Sequence, residues 1–143
     1  MNDIEKAVSC LNKGFNCSQA IFSTYGSKLG LDEEQGLKIA ELFGAGMAYT
    51  GNICGAVTGA FMVLGLKNGR IKADDKETKE KALNLANVFI NRFKAKNGTI
   101  LCKELTGYDI NTEEKLQIAR KKKAFENCPG FVRDAAEILE NLL

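Results

Sequence analysis

The sequence predicts an all-α fold, a compact single-domain helical bundle of about seven or eight helices. The 143 residues contain only one proline, and apolar residues recur at the spacing of helix faces along nearly the whole chain. No segment shows the period-two alternation of a half-buried strand. Because this length suits one hydrophobic core and no linker divides the chain, we expect residues 1–143 to form a single domain.

Apolar spacing and capping residues predict the first three helices. The second and third open with a side chain that caps a helix, followed three residues later by glutamine, as in a capping box. These pairs are Asn16 with Gln19 and Asp32 with Gln35. The predicted spans are Asp3–Lys13, Asn16–Gly30 and Asp32–Phe43.

The next predicted helix is strongly apolar. Leu42 to Leu66 contains no charged residue, which resembles a membrane span. A break at Gly51-Asn52 leaves Ile53–Leu66 as the continuous helix, which is too short to cross a bilayer about 30 Å thick. We therefore expect a buried core helix that ends at Asn68-Gly69 and no membrane span.

The longest predicted helix follows. Asp74 with Glu77 marks its start, and Asn97-Gly98 marks its end. Helical spacing gives it one apolar stripe, which we expect to face the core. The stripe consists of Ala82, Leu85, Ala86, Phe89 and Phe93.

Three shorter helices complete the prediction. Thr99 begins one that ends near Gly107, and Asn111 or Thr112 begins another that continues through Phe125. Cys128-Pro129 opens the last helix, because proline suits a first turn where its missing N–H would have no partner.

Composition and charge exclude several classes of protein. Histidine is absent, so Ser-His-Asp and Cys-His catalysis, His-ligated haem and imidazole zinc sites are excluded. The net charge is only +2, and the basic run Arg120–Lys123 is interpreted as a solvated helix face, so we expect no nucleic-acid partner. The residues after Met1 lack the features of a secretory signal, so a cytoplasmic protein without a structural disulfide framework is expected.

Five cysteines are the unusual chemical resource of the chain. Cys10 lies late in the first predicted helix and is interpreted as a packing residue. The other four fall in the opening turn of a predicted helix, and we expect their sulfur atoms to form one cluster. They are Cys17, Cys54, Cys102 and Cys128.

Such a cluster has an electrostatic consequence. Helix N-termini favour thiolates, but four thiolates carry a charge of about −4 and four helix ends offset roughly +2 of it. Protonation, disulfide formation or a cation such as Zn²⁺ or an oxidised two-iron core would relieve the remainder. The chain has no C-x-x-C pair, which excludes a thioredoxin dithiol, a zinc ribbon and a ferredoxin run.

Two glycines follow Cys54 on one helix face. Gly55 and Gly59 are four residues apart, which permits close approach of another helix. We interpret Gly59 as a packing residue. Gly55 is the candidate cofactor-binding residue, because its bare backbone N–H can approach a sulfur atom or a cluster.

Taken together, these segments resemble the C_GCAxxG_C_C family of putative redox-active proteins. The resemblance runs from about Phe15 to Phe131 and implies redox activity of the four motif cysteines, while Cys10 lies outside the motif. It implies no substrate. The segments that carry it are Asn16-Cys17-Ser18-Gln19-Ala20, Cys54-Gly55-Ala56-Val57-Thr58-Gly59, Cys102 and Cys128-Pro129-Gly130.

Three functions remain open at this point. In the first, the four cysteines are catalytic residues of a thiol-based oxidoreductase and cycle between thiol and disulfide. In the second, the same four are metal ligands of an iron–sulfur or zinc module. In the third, the chain is a helical interaction protein whose cysteines only pack. The redox partner, the substrate and a homo-oligomeric state are likewise open.

Overall fold

The computed structural model describes residues 1–143 and consists of eight α-helices joined by short turns. A 3-10 turn, Glu41–Phe43, follows the third helix. No strand is present, so the all-α prediction is confirmed. The helices are α1 (Asp3–Asn12), α2 (Cys17–Lys28), α3 (Glu33–Ala40), α4 (Gly55–Asn68), α5 (Lys76–Asn97), α6 (Cys102–Thr106), α7 (Glu113–Lys121) and α8 (Cys128–Leu142).

Local capping fixes the starts of α2 and α3. The Asn16 side chain accepts the Gln19 N–H at 2.9 Å, and the Gln19 side chain accepts the Asn16 N–H at 3.0 Å. Asp32 accepts the Gln35 N–H at 3.2 Å. Both predicted starts are therefore confirmed, because each depends on residues only three positions apart.

The start of α5 lies one residue beyond the prediction. Asp75, not Asp74, is the cap, and its carboxylate accepts the Thr78 N–H at 3.1 Å and the Thr78 hydroxyl at 2.7 Å. Asp74 and Asp75 are equally good cap signals in the sequence, and the bond from the Thr78 hydroxyl distinguishes Asp75 from Asp74. Phe89 and Phe93 are fully buried, as the predicted stripe requires.

The ends of the shorter helices also differ from the prediction. Helix α6 begins at Cys102, and the Thr99 hydroxyl accepts the Leu101 N–H at 3.1 Å instead of capping the helix. Thr112 caps α7 as expected. That helix ends at Lys121 rather than at Phe125, because Lys123 adopts a left-handed backbone with φ 58°.

The segment between the 3-10 turn and α4 has no counterpart in the prediction. Residues 45–49 all have positive φ, and only Gly46 among them is a glycine. A left-handed residue other than glycine costs about 1–2 kcal/mol. Backbone bonds hold the segment, including Ala48 N–H to Leu42 O at 2.7 Å and Asn52 N–H to Gly46 O at 2.9 Å.

The core forms around α4. This helix packs against α2, α5 and α8, and α1 and α3 pack against α2 from outside. Most α4 side chains from its start to Leu64 are buried, which confirms a buried core helix. No helix combines the length and apolar character needed to cross a membrane.

Candidate functional site

The four predicted site cysteines line one cavity of about 400 Å³. Cys17, Cys102 and Cys128 are the first residues of α2, α6 and α8, and Cys54 directly precedes α4. Cys10 does not line this cavity; its sulfur lies 3.9 Å from the Ser23 hydroxyl. The structure therefore brings together residues from four separate helix starts.

Gly55 allows the starts of α2 and α4 to meet. A Cβ atom at Gly55 would lie 2.9 Å from the Ser18 backbone nitrogen and 3.1 Å from the Cys17 Cβ atom. A Cβ atom at Gly59 would lie 3.0 Å from the Ile21 Cβ atom and from the Ser18 carbonyl oxygen. Both glycines thus permit close helix packing, and Gly55 also lines the cavity.

A backbone bridge brings Cys54 and Cys102 together. Ile53 and Leu101 form an isolated antiparallel bridge. Next to it, the Cys54 N–H donates to Ile100 O at 2.8 Å and the Cys102 N–H donates to Asn52 O at 2.6 Å. Because side chains alternate between the two faces of a bridged pair, both cysteines lie on the face opposite to Ile53 and Leu101.

The packing of α8 places the fourth cysteine, Cys128, at the cavity. Helix α8 packs against α1, α2, α4 and α5, and its buried face includes Val132 and Ala135. Its start is fixed by the Cys128 N–H, which donates to Phe125 O at 3.1 Å, and Pro129 lies in the first turn as predicted. Cys128 therefore joins Cys17, Cys54 and Cys102 in the wall of the cavity.

Burial keeps two of the thiols protonated. Desolvation raises the pKa of Cys54 to about 11, even though the N–H groups of Ala56 and Val57 face its sulfur and favour the thiolate. Desolvation also raises the pKa of Cys102 to about 12, with a smaller contribution from the charge of neighbouring cysteines. The N–H groups that favour the Cys54 thiolate belong to Ala56 and Val57, and Gly55 stays a predicted cofactor-binding residue.

Cys17 and Cys128 form an unequal pair. The interaction with Cys128, followed by burial, raises the pKa of Cys17 well above its ordinary value. The interaction with Cys17 lowers the pKa of Cys128, and this effect outweighs the opposing effect of burial. Cys128 is therefore the one thiol of the four whose pKa lies below its ordinary value.

The cysteines are also potential metal ligands. All five cysteines are free thiols. No group of three or more Cys, Asp, Glu or His side chains is arranged to hold a metal ion. The chemistry of four thiols suits zinc or an iron–sulfur cluster, but their arrangement does not form a ligand set for one ion.

Sequence reasoning missed the aromatic part of the cavity wall. Phe15 precedes Cys17, and Phe125 and Phe131 lie within three residues of Cys128, so closeness in sequence could have indicated them. Tyr49 could not have been found in this way, because the left-handed segment brings it to the cavity. The Arg120 guanidinium lies 5.9 Å from the centre of the Tyr49 ring and is not part of the wall.

Comparison with known proteins gives one positive result. The family model described as "Putative redox-active protein (C_GCAxxG_C_C)" matches residues 15–142. The matched range includes all four cavity cysteines and excludes Cys10. No curated protein and no solved structure matches the chain.

Proposed function

The chain belongs to the C_GCAxxG_C_C family of putative redox-active proteins, and from this premise we propose that it is a thiol–disulfide redox protein whose reacting pair is Cys17 and Cys128. The observation that carries the proposal is that Cys17 and Cys128, from two separate helix starts, line the same cavity. Their interaction raises the pKa of Cys17 and lowers that of Cys128. A nucleophile and a resolving thiol require this asymmetry, because only the thiolate attacks a disulfide.

The proposed reaction has two exchange steps. The Cys128 thiolate attacks one sulfur of a substrate disulfide, which forms a mixed disulfide and releases the first substrate thiolate. Cys17 then loses its proton and attacks the Cys128 sulfur, which forms the Cys17–Cys128 disulfide and releases the second. Two electrons pass from the protein thiols to the substrate. One released thiolate takes up the proton that Cys17 loses, and the other takes up a proton from solvent, equivalent to the one that Cys128 gave up when it ionised.

Cys54 and Cys102 have a different place in this proposal. Their raised pKa values keep them protonated near neutral pH, so they are poor first nucleophiles. They line the same cavity as the reacting pair. We assign them to a second, slower thiol pair that can exchange with the Cys17–Cys128 disulfide once it has formed.

The alternative is a zinc or iron–sulfur module in which the four cysteines are ligands. When bound, an iron–sulfur cluster would supply one-electron transfer. The four thiols are the right donor type, but no three of the potential ligands are arranged around one ion position. Thiol–disulfide chemistry therefore has the better support from the geometry.

Oxidation and mass mapping test the proposal. Protein purified without oxygen is reduced, treated with one equivalent of the oxidant diamide, digested and mapped by mass spectrometry. We expect a Cys17–Cys128 disulfide, lost in Cys128→Ser and unchanged in the matched control Cys10→Ser. Random pairing, or five slowly reacting thiols, would contradict the proposal and favour a helical interaction protein.

Metal analysis and an absorption spectrum of the same sample test the alternative. The proposal requires a colourless protein without stoichiometric metal. Charge-transfer bands, or about one zinc ion per chain held by thiolates, would establish the ligand function instead.

A further inference from the structure

Apart from its cysteines, the wall of the cavity contains no side chain that is charged at neutral pH. Eleven of its seventeen lining residues are hydrophobic, and none of the seventeen is Asp, Glu, Lys or Arg. Charged residues make up 27% of the chain, so their absence from a wall this large sets the cavity apart from the rest of the surface. The aromatic lining residues are Phe15, Tyr49, Phe125 and Phe131.

Two polar side chains of the wall already form hydrogen bonds within the protein. Asn16 caps α2 and donates to Glu41 O at 2.9 Å, and the Thr106 hydroxyl donates to Cys102 O at 2.9 Å. Asn12, at the end of α1, is an exposed lining residue. A carboxylate or ammonium group that entered this cavity would lose hydration, and no Asp, Glu, Lys or Arg side chain lines the wall to pair with it.

We propose, on the basis of the function proposed above, that the disulfide reduced at Cys128 belongs to a small, uncharged and largely apolar molecule. The volume of about 400 Å³ is in the range of pockets that hold small molecules. The aromatic side chains supply faces for its apolar groups. The reaction is the two-step exchange given above, with the neutral disulfide as the electron acceptor.

Three disulfides of similar size test the inference by their charge. Bis(2-hydroxyethyl) disulfide is neutral, cystamine carries two positive charges, and 2,2′-dithiodiacetate carries two negative charges. Reduced protein is mixed with each probe, and formation of the Cys17–Cys128 disulfide is followed by mass spectrometry. The same measurement on protein unfolded in urea gives the intrinsic thiol reactivity toward each probe.

We expect the neutral probe to be favoured over each charged probe at least tenfold more in the folded protein than in the unfolded protein. The variant Asn12→Lys places a cation in the wall, so it should speed reaction with dithiodiacetate several-fold and slow reaction with cystamine. The matched control is Asn141→Lys, at the exposed end of α8 and outside the cavity. It should leave both rates unchanged.

Two results separate failure of this inference from failure of the proposed function. Equal preferences in folded and unfolded protein, or no reaction with the neutral probe while diamide still forms the Cys17–Cys128 disulfide, would overturn the substrate class alone. No such disulfide even with diamide would overturn the proposed function and this inference with it.

Discussion

Alanine at Gly55 directly perturbs the contact that joins the starts of α2 and α4. Its Cβ atom would lie 2.9 Å from the Ser18 nitrogen, 3.1 Å from the Cys17 Cβ atom and 3.3 Å from the Gly44 Cα atom. None of these atoms can move aside by rotation of a flexible side chain. The two helices must therefore separate, and Cys17 must move with α2.

The expected magnitude follows from these distances. Overpacking of a tight contact costs about 1–3 kcal/mol. The gain in helix propensity from replacing glycine is at most about 1 kcal/mol, and it is smaller for the first residue of a helix. We expect Gly55→Ala to lower the free energy of unfolding by about 1–2 kcal/mol.

Gly65 provides a matched control in the same helix. It is exposed, and a Cβ atom there would have no neighbour within 4 Å. Gly65→Ala should therefore raise the free energy of unfolding by up to about 1 kcal/mol. Both variants add one methyl group to α4, so the opposite signs isolate the contact with α2.

Urea unfolding at neutral pH measures both variants, and the rate of diamide-driven disulfide formation measures the consequence at the site. Gly55→Ala should slow formation of the Cys17–Cys128 disulfide, whereas Gly65→Ala should not. If Gly55→Ala were as stable as the unmodified protein and formed the disulfide at the same rate, the close approach at Gly55 would not hold the cysteines together.

Three further measurements test other parts of the structure. Ala48 has φ 53°, so Ala48→Gly should raise the free energy of unfolding by about 0.5–1 kcal/mol. The control Ala95→Gly, in regular helix, should lower it by a similar amount. If both variants lowered the free energy of unfolding, the left-handed backbone at Ala48 would be contradicted. The Ser18 hydroxyl is fully buried without a hydrogen-bond partner. Ser18→Ala should therefore raise the thermal unfolding midpoint, by an amount that corresponds to about 1 kcal/mol in the free energy of unfolding. A lower midpoint would show that the hydroxyl makes a stabilising contact. The interaction with Cys17 lowers the pKa of Cys128, so alkylation of Cys128 by iodoacetamide should continue below the pH at which an ordinary thiol stops reacting. Cys17→Ala should move the plot of alkylation rate against pH to higher pH. If the plot did not move, the proposed difference between the two thiols would be refuted.

The parts of the fold that the sequence could predict are those set by neighbouring residues. Asn16 with Gln19 satisfies the first N–H groups of α2 within a single turn, so its start needs no knowledge of the rest of the chain. Pro129 marks the start of α8 for the same reason. The helix-start positions of the cysteines follow from such local signals.

The parts that could not be predicted depend on contacts between distant segments. The bridge between Ile53 and Leu101 pairs single residues, so it leaves no alternating pattern in either segment. The left-handed backbone at residues 45–49 contains Ala45, Met47 and Tyr49, which give no local signal for positive φ. Contacts with Gly51 and Asn52 hold that segment in place, and the position of Tyr49 in the cavity depends on it.

The structure changes the charge that the sequence predicts for the cysteine cluster. Helix starts alone favour four thiolates, which would call for a bound cation. Burial reverses this for Cys54 and Cys102, whose pKa values are about 11 and about 12 against an ordinary 9.0. Ligation by these two would require deprotonation of thiols that hold their protons more tightly than ordinary cysteines do.

A metal ion that bound here would have to offset the cost of displacing these protons. Cys17 adds to it, because its proton is also strongly held. A cluster with one thiolate, facing partly positive helix starts, has little excess negative charge for a cation to neutralise. The same burial that weakens a metal site leaves Cys128 as the one ready nucleophile, with a protonated partner beside it, and this is the state from which disulfide exchange begins.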